Sequence, residues 1–438
     1  RAAGPSRGSL ASVLRPEELG LPAPVPAGAR RQRRVALLLG YDGRRYKGLV
    51  PLCTPDGKYV PTVIAELELA LVKAGAISAE DFGHLDRLDW QQGGRTDAGA
   101  SGACNVVCAS LRLGRDGVMG LVDRANELLP PDIRLHTGAE VSQEFDARRH
   151  CTARQYTYFL PTYCIAPTLE ALEATLGSEE GPSAAGAAGR LRELGLEEGL
   201  LRTRLQPQQL ELFREALACF QGLHCFANFC HHVRRKEIAS KSKQWQELQF
   251  HRDVFVCSCE EGPFVDEHGR EWLEVTVIAQ SFLPRMIRRM LASAAFVAQG
   301  LMPLGFLREA LLRPLDWTSP QVPAVGLFFD RAWFECTPGM PVQQEIEFPE
   351  VLTEIDAWRA DLTQSIFASH EEWLRWLERS AHVLPDSRAR IAAAASACEA
   401  VKQERERKAQ DTDRTLARLK GSAKSWFAEV DDALLGDV

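Results

Sequence analysis

The chain has no apolar run near the ~18 residues that a membrane-spanning helix requires, so no helical membrane span is expected. It lacks the paired Cys-x-x-Cys spacing of a strong zinc signal, although Cys225, Cys230, Cys257 and Cys259 lie near His224, His231 and His232. It has no nucleophile elbow for a Ser-His-Asp or Cys-His hydrolase and no Walker-type phosphate loop. Its 12 cysteines are scattered without a secretory signal, which predicts free thiols and no disulfide framework.

What is present is an ordinary globular composition, 45% apolar and 25% charged, over 438 residues. That length allows two to three domains and a large core. The net charge of −7 is concentrated at one end: from Glu345 to Val438, 13 Lys and Arg face 19 Asp and Glu, a balance of −6. The body is therefore close to neutral and has room for local basic faces, which is where a nucleic acid leaves its footprint. Residues 1–34 are rich in Arg, Ser, Pro and Gly with only two acids, Glu17 and Glu18. They read either as a basic arm or presequence remnant, which would give a mitochondrial address in preference to a cytoplasmic or nuclear one, or as a disordered linker.

The stretch around which the chain is organised is Gly93-Gly94-Arg95-Thr96-Asp97-Ala98-Gly99, followed by the strand-like Ala103–Cys108. Glycines on both sides permit the backbone to display one carboxylate in a cleft. Gly and Asp also dominate ordinary turns, so spacing alone leaves both readings open. Before it, Val35–Tyr41 is a short apolar strand entering the turn Asp42-Gly43, and Val63, Leu67, Leu71 and Val72 recur at helical spacing after Pro61-Thr62. After it come a helix ending near Asn126–Pro130 and a strand from Asp132, an α/β alternation.

Tyr156 and Tyr158 stand at i and i+2 and so share one face of a strand, as a cross-strand aromatic pair or as functional groups. Residues 168–204 form an Ala-, Gly-, Glu- and Leu-rich insertion. A helix is predicted over 208–220, paired strands over 248–257 and 272–279, and an apolar helix after Phe282 that carries Arg285, Arg288 and Arg289. The basic loop 231–243, with Arg234 and Arg235, is either a solvated surface or a phosphate contact. Beyond Phe334, Trp358, Phe367, Trp373, Trp376 and Leu377 predict aromatic-bearing helices that dock somewhere, and 386–420 predicts a charged, exposed helix.

Six separated blocks in one order resemble the TruA-type tRNA pseudouridine synthases. They are Tyr41-Asp42-Gly43 with Tyr46 and Gly48; Arg95-Thr96-Asp97-Ala98-Gly99; Leu129–Arg134; Phe145–Arg148 followed by Arg154-Gln155-Tyr156-Thr157-Tyr158; Gly222–Phe229 followed by Gln280-Ser281-Phe282 and Ile287-Arg288; and Pro323 with Gly326-Leu327. The resemblance runs from about Val35 to Phe334, broken by the insertion. It departs from the family at Leu49, where a tryptophan is usual, and at Pro284 and Arg285 on the rim.

The resemblance implies an α/β (α+β) fold of two half-domains, with mixed, mainly antiparallel sheets flanked by helices around a central RNA-binding cleft. The implied divisions are an arm over 1–34, half-domains over 35–141 and 142–335, the second with the insertion near 168–205, and a helical acidic extension over 336–438. The implied activity is isomerisation of uridine to pseudouridine in structured RNA, tRNA before ribosomal RNA. Asp97 would be the nucleophile or base and Arg288 its ion-pair partner; Tyr156 and Leu327 would sandwich the base, and Arg95 would brace the space left by the flipped nucleotide. Thr96, Phe282, Arg148, Arg154, Arg234 and Arg235 complete the expected RNA contacts. The reaction loses and oxidises nothing, so no cofactor and no metal is expected. A second reading keeps the fold as an RNA-binding factor in ribosome assembly whose chemistry is dispensable. RNA is the expected partner; protein partners would dock through the insertion and the C-terminal helices, and the oligomeric state is left open.

Overall fold

The computed structural model describes residues 32–53, 59–166, 195–230, 249–334, 348 and 351–380, apart from positions 196, 316, 318 and 378, with scattered residues of 389–410. The first strand, β1 (Gln32–Tyr41), is apolar on both faces because both are covered. Val35, Leu37 and Leu39 join a core under α1 (Val63–Lys73) and α2 (Gly117–Leu128). Ala36 and Leu38 face a second, larger core. Leu49, at the position where the resembling family has tryptophan, is fully buried in the first of these.

Two short pieces, β2 (Leu52–Cys53) and β3 (Tyr59–Val60), form a separate ribbon before α1. Next in the chain are β4 (Gln91–Gln92), β5 (Ser101–Arg112), β6 (Ile133–Glu140) and β7 (Ala153–Pro161). After the insertion come α3 (Glu197–Leu201), α4 (Pro207–Ala218), β8 (Gly222–Cys225), β9 (His251–Ser258), β10 (Phe264–Val265) and β11 (Glu271–Ala279). The last described elements with full boundaries are α5 (Met286–Ala298), α6 (Leu304–Leu312), β12 (Leu327–Trp333) and α7 (Leu352–Ala368).

Ten strands make one sheet, in the order β6-β1-β5-β12-β7-β11-β9-β8, with β4 beside β5 and β10 beside β11. Each half places its first strand in the middle: β1 lies between β5 and β6, and β7 between β12 and β11. The halves meet at β5–β12, the one parallel pairing among the described strands. The motif of residues 93–99 ends where β5 begins, so the chain delivers it to this junction.

Alternation along a strand separates the two faces of the C-terminal half. Tyr156 and Tyr158 project to one side; Gln155, Thr157 and Phe159 project to the other. The second side is covered by the aromatic helices after Phe334. Phe367 of α7 packs on Trp272 with ring centroids 4.6 Å apart, and Trp373 meets the same indole edge-on at 5.3 Å. Trp358 donates Nε1–H to the Gly102 carbonyl at 3.4 Å, and Trp376 donates to that of Gln321 at 2.8 Å. The surface on which the aromatic-bearing helices dock is thus the chain's own sheet.

One boundary differs from the expectation. Gln32, Arg33 and Arg34, grouped by composition with the basic arm, are the first residues of β1. Arg34 is 2% exposed and donates to the Phe145 carbonyl at 2.9 and 3.1 Å, to that of Asp89 at 2.7 Å and to Gln91 Oε1. It ties β1 to the segments on either side of β5. Of the expected insertion, α3 belongs to the described residues and 167–194 lies outside them. Most of the predicted helix over 386–420 also lies outside the described residues.

Candidate active site

The loop carrying Asp97 is held along its length. Gly93 donates its N–H to the Val106 carbonyl at 2.8 Å. Gly94 exchanges two hydrogen bonds with the Asn105 carboxamide, at 3.3 and 3.1 Å. A Cβ on Gly94 would sit 2.3 Å from Phe329 Cε2 and 3.2 Å from Tyr156 Oη, so only glycine allows the strand and rings to close on this backbone. Thr96 is buried, with Oγ1 3.0 Å from the Tyr41 hydroxyl. Burial pushes that phenol up to about 12, so it stays protonated and able to donate. The Asp97 carbonyl accepts from Ala100 N–H at 3.1 Å, and Gly99 closes the turn at φ +80° with its N–H on the Tyr46 carbonyl at 3.2 Å.

Asp97 emerges from this turn with its side chain 30% exposed and meets Arg288 of α5, whose Nη1 lies 3.2 Å from Oδ2. Arg288 is 12% exposed and reaches Asp97 in a fixed orientation. Its Nε donates to the Val322 carbonyl at 2.8 Å, and its own carbonyl accepts from Val322 N–H at 3.1 Å. The guanidinium therefore offsets the carboxylate charge in a partly desolvated cleft, in a charge-assisted contact.

Tyr156 forms the wall beside this pair. It is 5% exposed, donates its hydroxyl to the Arg95 carbonyl at 3.3 Å, and stands edge-on to Phe282 at 5.1 Å and Phe329 at 5.0 Å. Burial first, then the charge of nearby groups, raises its phenol well above the ordinary range. Leu327 is buried on the same side of β12, opposite Tyr158; Tyr158 donates its hydroxyl to the Pro323 carbonyl at 2.9 Å and fixes the segment before β12. Phe282 is half-buried at the cleft wall. Arg95 and Arg148 are exposed, and the Arg95 guanidinium meets no hydrogen-bond or ion-pair partner among the described residues.

Arg154 takes a different place from the one its sequence position implies. It is 9% exposed and donates to the carbonyls of Gly93 at 2.6 Å, Arg148 at 2.9 Å, Cys151 at 3.3 Å and Gln280. Its donors are consumed bracing the motif loop against β7 and the β11–α5 connection, so it shapes the cleft from behind. Arg234 and Arg235 lie outside the described residues. On the rim, Arg285 caps α5 in the left-handed region at φ 66°, which costs a side-chain-bearing residue on the order of 1 kcal/mol, and Pro284 beside it is exposed.

Sequence reasoning missed Asn105, Tyr41 and Phe329. Asn105 carried a usable signal: it is the one amide in an apolar strand, and a buried amide needs hydrogen-bond partners. Tyr41 was noted only within the Tyr41-Asp42-Gly43 block and Phe329 was given no role, because what they touch depends on which strands become neighbours.

Residues 216–335 match the family model described as tRNA pseudouridine synthase. The chain is similar to "tRNA pseudouridine synthase 1" of Candida albicans, 25% identical over 378 residues that cover 71% of this chain and 59% of that protein. It is 28% identical over 309 residues to "Pseudouridylate synthase 1 homolog" of Mus musculus, covering 69% of this chain and 61% of the relative. "tRNA pseudouridine synthase 1" of Saccharomyces cerevisiae is 25% identical over 364 residues, 71% of this chain and 63% of the relative. The chain spans about three-fifths of the length of these curated relatives.

Proposed function

We propose that the chain is a pseudouridine synthase of the TruA type that isomerises uridine to pseudouridine in structured RNA, with tRNA as the substrate class, a reading supported by its similarity to the relatives above. The observation that carries this reading is the convergence of Asp97, Arg288 and Tyr156, from three distant parts of the chain, at the junction of the two half-sheets.

The chemistry needs little. The C1′–N1 bond breaks, the uracil turns while held, and a C1′–C5 bond forms; one proton leaves C5 and one is gained at N1, so the product is an isomer. A single carboxylate acting as nucleophile or base supplies the reactive group, and that role falls to Asp97. Arg288 holds the carboxylate in place through bonds to both Asp97 and the Val322 carbonyl. Tyr156, backed by Phe282 and Phe329, offers the ring face on which a base can stay stacked while it rotates. Because a base inside a helix is out of reach, the nucleotide must be flipped, and the Arg95 guanidinium, free of partners among the described residues, is placed to brace the vacated stack.

The test is substitution of the carboxylate. Asp97→Ala and Asp97→Asn are expected to abolish pseudouridine in a tRNA substrate while RNA affinity stays within about threefold of wild type, because phosphate contacts dominate affinity. Pseudouridine formation at the wild-type rate by Asp97→Ala would remove the chemistry from this residue. Mapping pseudouridine across all cellular RNAs after depletion of the protein identifies the substrate.

A further inference from the structure

Behind the pocket, on the sheet face opposite the cleft, lies an ionic cluster that the reaction does not touch. Asp330 directly follows Phe329 in β12 and is 8% exposed. The ladder between β12 and β7 slips at this point: Phe329 stands opposite Tyr156 and Arg331 opposite Gln155, which leaves Asp330 as the extra residue of a bulge. Bulges bend a strand and re-aim its side chains, and they leave ladder groups unpaired.

Here the carboxylate takes over the cross-strand bonding. Asp330 Oδ2 accepts from Gln155 Nε2 at 2.8 Å and from Thr157 Oγ1 at 3.1 Å, the two residues that flank Tyr156. Oδ1 accepts from Arg359 Nε at 2.7 Å, and Arg359 belongs to α7, beyond the stretch that resembles the family. The two side chains are 12% and 23% exposed. A carboxylate this far from water is tolerated when a cation pairs it and becomes costly when the cation is removed. Arg359 is also kept in line by Asp356 Oδ1 at 2.9 Å, one turn earlier on α7.

We infer that Arg359 is a positioning residue for the base pocket. Its ion pair with Asp330 fixes the bulge, and the bulge sets the aim of Phe329 and, through Gln155 and Thr157, of Tyr156. The inference rests on the reading of Tyr156 as the ring that holds the turning base. It gives the C-terminal helix a part in the reaction without any contact to RNA.

The test uses the full chain with Arg359→Met, Arg359→Lys and the double variant Asp330→Asn/Arg359→Met. Arg359→Met is expected to slow single-turnover pseudouridine formation about tenfold to 100-fold, the effect of a sub-ångström to ångström misplacement of a reacting partner. RNA affinity should stay within about twofold, since no RNA-facing group has changed. Arg359→Lys should restore most of the rate. The double variant should be faster than Arg359→Met, because it removes the stranded carboxylate along with its partner. Independently of catalysis, 3-fluorotyrosine labelling gives six resonances, and the Tyr156 signal, assigned with Tyr156→Phe, should shift or broaden in Arg359→Met and return in Arg359→Lys. A wild-type rate and an unmoved Tyr156 resonance in Arg359→Met overturn the inference. So does a loss that appears equally in affinity and melting temperature and that the double variant does not relieve, since this is the behaviour of a generic fold contact. If wild-type protein forms no pseudouridine, the functional reading falls, and the fluorine resonance still decides whether Arg359 positions the ring.

Discussion

The contact between Arg288 and Asp97 joins residues 191 positions apart and depends on two bonds made by one guanidinium. Replacing Arg288 with Met keeps an unbranched apolar stem and removes both. Asp97 then loses the cation beside it, and Val322 keeps its N–H bond to the backbone carbonyl at 288 but loses the donor to its own carbonyl. Single-turnover pseudouridine formation by Arg288→Met is expected to fall about 100-fold or more, the scale on which preorganised charge acts in a desolvated site, with RNA affinity little changed. Wild-type turnover would show that the pair is only structural. At this scale the sequence was informative about polar residues inside motifs, Asp97 and Arg288 among them. It was uninformative about arginines whose charge is visible in the sequence but whose burial is not. Arg34 was grouped with the basic arm and Arg154 with the RNA contacts; each instead spends donors on backbone carbonyls in the interior, because strand neighbours far away in sequence close over them.

At the scale of single elements, α1 shows how a clear periodic signal can hide a second one. The helical spacing of its apolar residues is plain in the sequence, and Glu68 falls on the same buried stripe as Ile64, Leu71 and Val72. Its Oε1 accepts the Gly83 N–H at 2.6 Å, tying down the segment that leads to β4, while Oε2 has no hydrogen-bond partner among the described residues. Burial pushes this carboxyl up to about 7. A folded-state value above the ordinary carboxylate one means that the folded protein holds the proton more tightly than the unfolded chain. The stability linked to it is complete below the unfolded value and is lost as pH rises through about 7. The neutral Glu68→Gln is therefore expected to melt close to wild type at pH ~5 and above it at pH ~8, by the equivalent of about 1–3 kcal/mol. Parallel melting curves for the two proteins across that pH range would refute the assignment. Strands and helices were legible from their periods or apolar runs, as with α1, β11 and β1. The bulge at Asp330 was not, since a register slip exists only once two strands have been paired.

For the whole molecule, the resemblance to the family ends near Phe334 and the matched family model at residue 335, which invites the idea that the C-terminal extension is dispensable. The packing argues otherwise. Ile355, Leu362, Ile366, Phe367, Trp373, Leu374, Trp376 and Leu377 are all buried, and with them α7 and the residues after it cover Trp272, Phe159 and Phe264 on the sheet face away from the cleft. Burying one large apolar side chain contributes roughly 1.5–3 kcal/mol, so the set is of the same order as the 5–15 kcal/mol that holds a typical domain together, even before the partner surface is counted. Sequence alone showed that these aromatics needed a partner surface; only the tertiary arrangement shows that the surface is the chain's own sheet, directly behind the β5–β12 junction. A chain ended at Phe334 is accordingly expected to melt at least about 10 °C below the full chain or to be recovered as aggregate, to bind a hydrophobic dye in native buffer through the uncovered aromatic face, and to form no pseudouridine. The dye measurement separates this from simple loss of an RNA-binding tail, which would leave the sheet covered and the melting transition in place. A truncated chain that melts with the full one and stays dye-free would mean that the extension rests on the sheet without supporting it.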